Sequence, residues 1–279
     1  MHMNEPFFDD GCEHVVRHTA PGRRTVDPVE TIMRLEDKTC VVTGGSRGIG
    51  RAIAETLGEE GANVVVNYRS SEAEAYEVAE GIDDGPGSAI PVQADVSQLD
   101  EVRSMYEAVD DVYGGADVLV NNAGLTRDGK FENMTREDWE QVMEVNLGGV
   151  FNCTKTFFDD LCEADEGRLV NISSVVGQQG NYGQANYATT KSGLFGFTRT
   201  IALEMAGSGS TANCVAPGFV KTDMLETVPD RVKEKILDRI PLSRFATTDD
   251  VAGIVRFVAG PDSSYMTGQI LAVNGGMEW

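Results

Sequence analysis

Beyond His18 the 279-residue chain contains no histidine. A histidine general base, a His-based triad and a histidine-ligated metal are thereby excluded from the body of the protein. The spacing Cys12-x-His14-x3-His18 has a faint metal-like look, but that segment has no apolar pattern to hold a site, so no metal is expected. Cysteine is sparse as well. Cys12, Cys40, Cys153, Cys162 and Cys214 are odd in number and scattered, with no CxxC, which predicts reduced thiols rather than a disulfide framework. No apolar run approaches the roughly 18 residues of a membrane span. The opening Met1-His-Met-Asn-Glu-Pro lacks the basic and apolar regions of a secretory leader. A cytoplasmic protein without membrane contact is expected.

Positive charge is the other scarcity. Only seven lysines occur, and 23 basic residues face 45 acidic ones, for a net charge of −22. With no basic face to neutralise phosphates, nucleic-acid binding is not expected. Such self-repulsion opposes compactness at low ionic strength, whereas in molar salt the Debye length falls to about 3 Å. A salt-adapted, halophilic source is the reading this favours.

What is present is a regular alternation. Residues 1–36 carry several prolines and no clear period, and read as a mobile N-terminal extension. Met33-Arg-Leu-Glu-Asp-Lys leads naturally into the first strand and is an alternative start. One domain is expected over 37–279. Strands are predicted at 39–43, 63–68, 89–94, 118–121, 168–173, 211–216 and 269–273. Helices are predicted at 49–60, 71–82, 99–113, 136–161, 185–206 and 248–259. The alternation and the near-continuous apolarity of the strands imply an α/β fold, a single Rossmann-type doubly wound parallel sheet with helices on both faces. The segment 221–241, of mixed charge, predicts a mobile helical lid. Helix 185–206 is apolar nearly all round (Leu194, Phe195, Phe197, Ile201, Ala202, Leu203, Met205), so one side should meet the sheet and the other a second subunit.

The first strand runs into Thr43-Gly44-Gly-Ser46-Arg47-Gly48-Ile49-Gly50. Glycines at 44, 48 and 50 let backbone turn tightly beside a pyrophosphate, and the following helix offers unpaired N–H groups. An NAD site would place an acid at the end of the second strand. Here the chain reads Asn67-Tyr68-Arg69-Ser70-Ser71. Arg69 and Arg47 instead suit a 2′-phosphate, which points to NADP+/NADPH. Asp95 and Val96 should sit by the adenine, and Asn122-Ala123-Gly124 should line the cofactor.

Tyr187-Ala-Thr-Thr-Lys191 opens a helix, with both side chains on one face. The expectation is that the Lys191 ammonium lowers the phenol's pKa from about 10, so that Tyr187 gives a proton to a carbonyl as hydride arrives. Ser174, at the end of a strand, can hydrogen-bond that carbonyl; Ser173 should face the other way. Asn146 would hold a water that relays protons to Lys191.

The ordered set TGxxxGxG, Asn-Asn-Ala-Gly, Asn146, Ser174 and YxxxK, with Pro217-Gly218 and Asn274-Gly275-Gly276, resembles the short-chain dehydrogenase/reductase family over roughly residues 35–279. The resemblance implies hydride transfer from a nicotinamide whose ribose Tyr187 and Lys191 contact, with Pro217, Gly218, Val220 and Thr222 also on the cofactor, and a homotetramer. Within the family the chain is most similar to reductases of 3-oxoacyl thioesters. Asn171-Ile-Ser-Ser-Val-Val-Gly-Gln-Gln-Gly-Asn-Tyr-Gly-Gln-Ala-Asn-Tyr187 is typical of both 3-oxoacyl-ACP reductase and the acetoacetyl-CoA reductase of polyhydroxyalkanoate synthesis. By that resemblance Asp128, Ser174, Asn181, Tyr182, Gln184 and Phe219 line the acyl pocket. Asn122–Asp128 followed by Phe131-x-x-Met-Thr-Arg-x-Asp-Trp139 looks more like the CoA enzyme. Relatives that read ACP, itself acidic, carry arginines where this chain has Cys162-Glu-Ala-Asp-Glu166 and Met205-Ala-Gly-Ser-Gly-Ser210, so a CoA carrier is expected ahead of ACP. A sugar or other alcohol dehydrogenase, and a non-catalytic NADP-binding regulator, are the remaining alternatives.

Overall fold

The computed structural model describes residues 34–222, 225 and 228–278. The Cys12/His14/His18 spacing and nearly all of the expected extension lie outside those residues. Of 1–36 only Arg34–Glu36 are described, and Leu35 is already core, its N–H donating to Glu60 O at 3.1 Å.

Seven parallel strands form one sheet in the order β3-β2-β1-β4-β5-β6-β7: β1 (Thr39–Val42), β2 (Asn63–Tyr68), β3 (Ser88–Gln93), β4 (Val118–Asn121), β5 (Arg168–Ile172), β6 (Thr211–Pro217) and β7 (Ile270–Val273). The doubly wound sheet read from the alternation is therefore present. The strands are apolar on both faces because both are covered. On one face, Val42, Val64, Val66, Val120, Val170 and Val215 pack under α1 (Gly48–Glu59), α2 (Glu72–Asp83) and a late helix at Thr248–Ala259. On the other, Val41, Val65, Leu119 and Leu169 pack under α3 (Leu99–Tyr113), α5 (Gly149–Glu163) and α7 (Ala185–Met205). Strand order reverses between β1 and β4, which opens a crevice at their C-terminal ends.

A buried polar ladder runs through the second face. Asn121 Nδ2 donates to Thr154 Oγ1 (3.1 Å) and to Asn171 Oδ1 (2.9 Å), and Asn171 Nδ2 donates to Thr198 Oγ1 (2.9 Å). Two strands and two helices are thereby held in one register.

Two elements depart from the sequence reading. The long helix expected over 136–161 is α4 (Arg136–Met143) and α5, separated by a π-helical turn at Glu144–Gly148. Apolar periodicity continues across such a turn, so the break leaves no mark in the pattern. The loop after β5 contains α6 (Val175–Gln179), too short to show a period and capped by Ser174, whose Oγ accepts from Val176 N at 3.2 Å. Within the segment expected as a lid, α8 spans Asp230–Leu237; α9 is the helix at Thr248–Ala259. A satellite cluster of Leu225, Ile240 and Phe245, with Phe219 and Met277 against it, lies beneath α8. On α7, Leu194, Ala202 and Met205 are buried while Leu203 is 80% exposed, so its apolar character is only partly used within the chain. Among the described residues no helix is long and apolar enough to cross a membrane.

Candidate active site

The crevice at the strand reversal is a cleft of about 570 Å³. Gly44, Ser46, Arg47, Gly48, Ile49, Gly50, Tyr68, Arg69, Asp95, Val96, Asn122, Ala123, Gly124 and Thr222, all expected on the cofactor, line it together. Its floor is built from backbone. Gly44 has φ +63°, where a side chain is strained, and a Cβ on Gly50 would lie 2.1 Å from Gly44 O. The N-cap of α1, Arg47, makes no side-chain capping bond, so the first N–H groups of the helix face the cleft uncapped. This is a cradle that suits a pyrophosphate, and a side chain at Gly50 would fill it.

Two residues not singled out from the sequence fix the cradle. Thr43 Oγ1 accepts from Asn122 N (2.9 Å) and Ala123 N (3.0 Å) and donates to Val120 O (3.2 Å), tying the two loops. Asn67, buried, accepts from Gly44 N (3.2 Å) and donates to Val92 O (3.3 Å) and Ala94 O (3.1 Å), tying the glycine turn to the end of β3. An asparagine within the apolar run Val64-Val-Val-Asn-Tyr68 was the available signal. At the rim, Arg47 is exposed, and Arg69, 58% exposed, lies 3.6 Å from Asp95.

Ser174, Tyr187 and Lys191 come together beside the cleft. Ser173 does turn away, its Oγ donating to Lys191 O at 2.8 Å, as strand alternation requires. Lys191 Nζ donates to Ile172 O (2.7 Å) and stands 5.6 Å from the centre of the Tyr187 ring. The expected lowering of the phenol is corrected by this packing. Burial pushes Tyr187 up to about 12; a hydrogen bond with Ser174 acts downward and Asp128 upward. Burial likewise brings Lys191 down to about 8. Loss of water disfavours the charged form of each group, and it is the largest influence on both.

Asn146 is fully buried in the π turn. Its Oδ1 accepts from Leu125 N (2.9 Å), and its Nδ2 donates to Leu125 O (3.0 Å) and Thr190 Oγ1 (3.3 Å). Its side chain thus pins the loop after Gly124 against α7.

The acyl-pocket residues divide. Gln184 Nε2 donates to both Asp128 oxygens (3.0 and 2.9 Å), and Asn181 Nδ2 donates to Gln184 Oε1 (2.9 Å). Gly129 N donates to Gly183 O (2.8 Å), joining the two segments as one wall on which Tyr182 is 80% exposed. Phe219 instead packs into the satellite cluster, and Val220 is buried in the first core face and bridges to Ala246. Pro217 ends β6, and Gly218 N is bonded to Val273 O (2.9 Å) at the sheet edge.

A family model described as enoyl-(acyl carrier protein) reductase matches residues 44–278. The chain is 46% identical over 240 residues to the 3-oxoacyl-(acyl-carrier-protein) reductase of Staphylococcus aureus, covering 86% of this chain and 98% of the relative. The enzymes of that name from Staphylococcus epidermidis (45% over 241 residues, 86% and 99% covered) and Thermotoga maritima (44% over 247 residues, 88% and 99% covered) are similar to the same degree. Likeness of this extent, running through both the glycine cradle and the tyrosine–lysine helix, makes the chain a member of the short-chain dehydrogenase/reductase family.

Proposed function

We propose that this chain reduces the 3-oxo group of an acyl thioester to the 3-hydroxy group at the expense of NADPH. The observation that carries this is the meeting of Ser174, Tyr187 and Lys191 at the cleft's edge. NADPH, when bound, supplies the hydride that forms the new C–H bond at C3. Tyr187 gives its phenolic proton to the carbonyl oxygen, Ser174 donates a hydrogen bond to that oxygen, and Lys191 orients the ribose and helps return a proton from solvent to the phenol, while Asn146 pins the loop after Gly124 against α7. Hydride and proton together account for the two hydrogens added.

The 2′-phosphate is read by Arg47 and Arg69. Replacing both by serine is expected to raise KM for NADPH roughly 10- to 100-fold, since each charge-assisted bond is worth about 1.5–3 kcal/mol before screening at this exposed rim. KM for NADH should hardly move; equal changes for both cofactors would remove the NADPH assignment.

For the carrier, the names of the relatives favour acyl carrier protein, the alternative in the sequence reading, over CoA. One feature still speaks for CoA: acidic Glu163, Asp165 and Glu166 stand where the resemblance places arginines in relatives that read ACP. The discriminating measurement is NADPH oxidation with acetoacetyl-ACP against acetoacetyl-CoA. A kcat/KM about tenfold higher for ACP, or about 1.4 kcal/mol, is expected, and the reverse ranking restores CoA.

The work belongs in the cytoplasm, consistent with free Cys40, Cys153, Cys162 and Cys214. The active form is a homotetramer, supported by Phe151 on α5 and Leu203 on α7, 55% and 80% exposed. The charge of −22 suits a salt-rich setting. Melting temperature should therefore rise from dilute buffer to molar KCl as repulsion is screened; a flat or falling profile removes the halophilic reading.

A further inference from the structure

Helix α8 sorts its charges by face. Arg231 and Lys235 stand four residues apart on one face, and Arg239 follows at the same interval just past the helix end. Asp230, Glu234 and Asp238 form an acidic line beside them, from which Asp230 meets Lys233 at 3.7 Å. Within each line the like charges repel, while Arg231/Glu234 and Lys235/Asp238 stand at the i,i+3 spacing of attractive pairs, so a basic line runs alongside an acidic one. It is the more notable in a chain with 23 basic against 45 acidic residues.

The basic line also has a direction. Arg239 Nη2 donates to Gln179 Oε1 at 2.8 Å. This bond brings the chain just past α8 to the end of α6, which leads into the Asn181–Gln184 wall. Arg231 and Lys235 are exposed, as is Lys221 at the foot of this segment. Thr222, the next residue, lines the cofactor cleft. Arg231 and Lys235 thus stand exposed on the segment that runs from the cleft at Thr222 to the contact with Gln179.

We infer that Arg231 and Lys235 bind the phosphate at the outer end of the pantetheine arm that carries the substrate. This rests on the thioester reading above and adds to it the group that is recognised outside the reacting carbonyl. Both carriers present that phosphate, on CoA or on the serine-linked arm of an acyl carrier protein. The pantetheine arm separates that phosphate from the thioester, so with the carbonyl at Tyr187 the phosphate is met by exposed cations away from the reacting group. Local cations also allow a protein of net negative charge to accept an anionic substrate.

The test compares the wild type with the Arg231→Gln/Lys235→Gln double variant on 3-oxobutyryl thioesters of N-acetylcysteamine, CoA and acyl carrier protein. The first lacks the phosphate. The expected result is a KM raised roughly tenfold for the phosphorylated carriers, with kcat unchanged and no change for the N-acetylcysteamine thioester. The carrier showing the larger rise identifies the source of the phosphate. Both side chains are exposed, so in molar salt, where the added net negative charge is screened, the melting temperature should stay close to that of the wild type. Equal rises for all three substrates, or none, overturn the assignment. A wild type that reduces none of the three overturns the thioester reading itself.

Discussion

Tyr187→Phe is expected to lower kcat by roughly three orders of magnitude and to leave NADPH affinity unchanged. General acid catalysis contributes about 10²–10⁴-fold, and no second group can replace the phenol. Ser174 engages it by a hydrogen bond, and Lys191 is turned to Ile172 O, 5.6 Å from the ring centre. Phenylalanine keeps the ring and its packing, so a fluorescence titration with NADPH should match the wild type. A variant that retains turnover would sink the proposed chemistry. The pH profile follows from the burial of both groups. With the phenol at about 12, Tyr187 holds its proton throughout the working range. Lys191 loses its charge as pH rises through about 8. Reduction should therefore fall on the alkaline side of about 8, the limb belonging to the lysine rather than the tyrosine.

Gly50→Ala is the second large effect. The added methyl would stand 2.1 Å from Gly44 O and 2.5 Å from Asn122 Nδ2. Neither neighbour can retreat independently, because Asn122 Nδ2 also bonds Thr43 O (2.9 Å) and Gly44 N is held by Asn67. Relief of the clash must shift the cradle against β4. Overpacking of this kind costs about 1–3 kcal/mol or more, and the shifted turn no longer presents its N–H groups to a pyrophosphate. The expected outcome is loss of measurable NADPH binding together with a lower melting temperature. Binding at wild-type strength would show that the turn does not hold the cofactor.

The sequence and the structure agree where chemistry is tied to short spacing. The glycine turn between a strand and a helix, and a tyrosine four residues before a lysine, are legible from local sequence alone. What was not legible depends on packing between distant segments. Asn67 reaches Gly44 and the end of β3 from the middle of an apolar strand, and no local pattern reveals such a reach. The π turn that carries Asn146 preserves apolar periodicity and so passes for continuous helix. The direction of the Tyr187 shift lies outside the local pattern for a related reason. Spacing shows that Lys191 is near, but only the packed site shows how much water both groups have lost. Val220 and Phe219 follow the Pro-Gly pair in sequence, yet neighbours from 240–246 draw their side chains into core.

The Thr154–Asn121–Asn171–Thr198 ladder has a consequence for descent. Replacing any single rung strands a donor or acceptor in the interior, a loss of about 1–3 kcal/mol that the neighbours cannot absorb. Drift at these positions must then proceed as a block, so lineages of this protein should either keep all four or exchange them together.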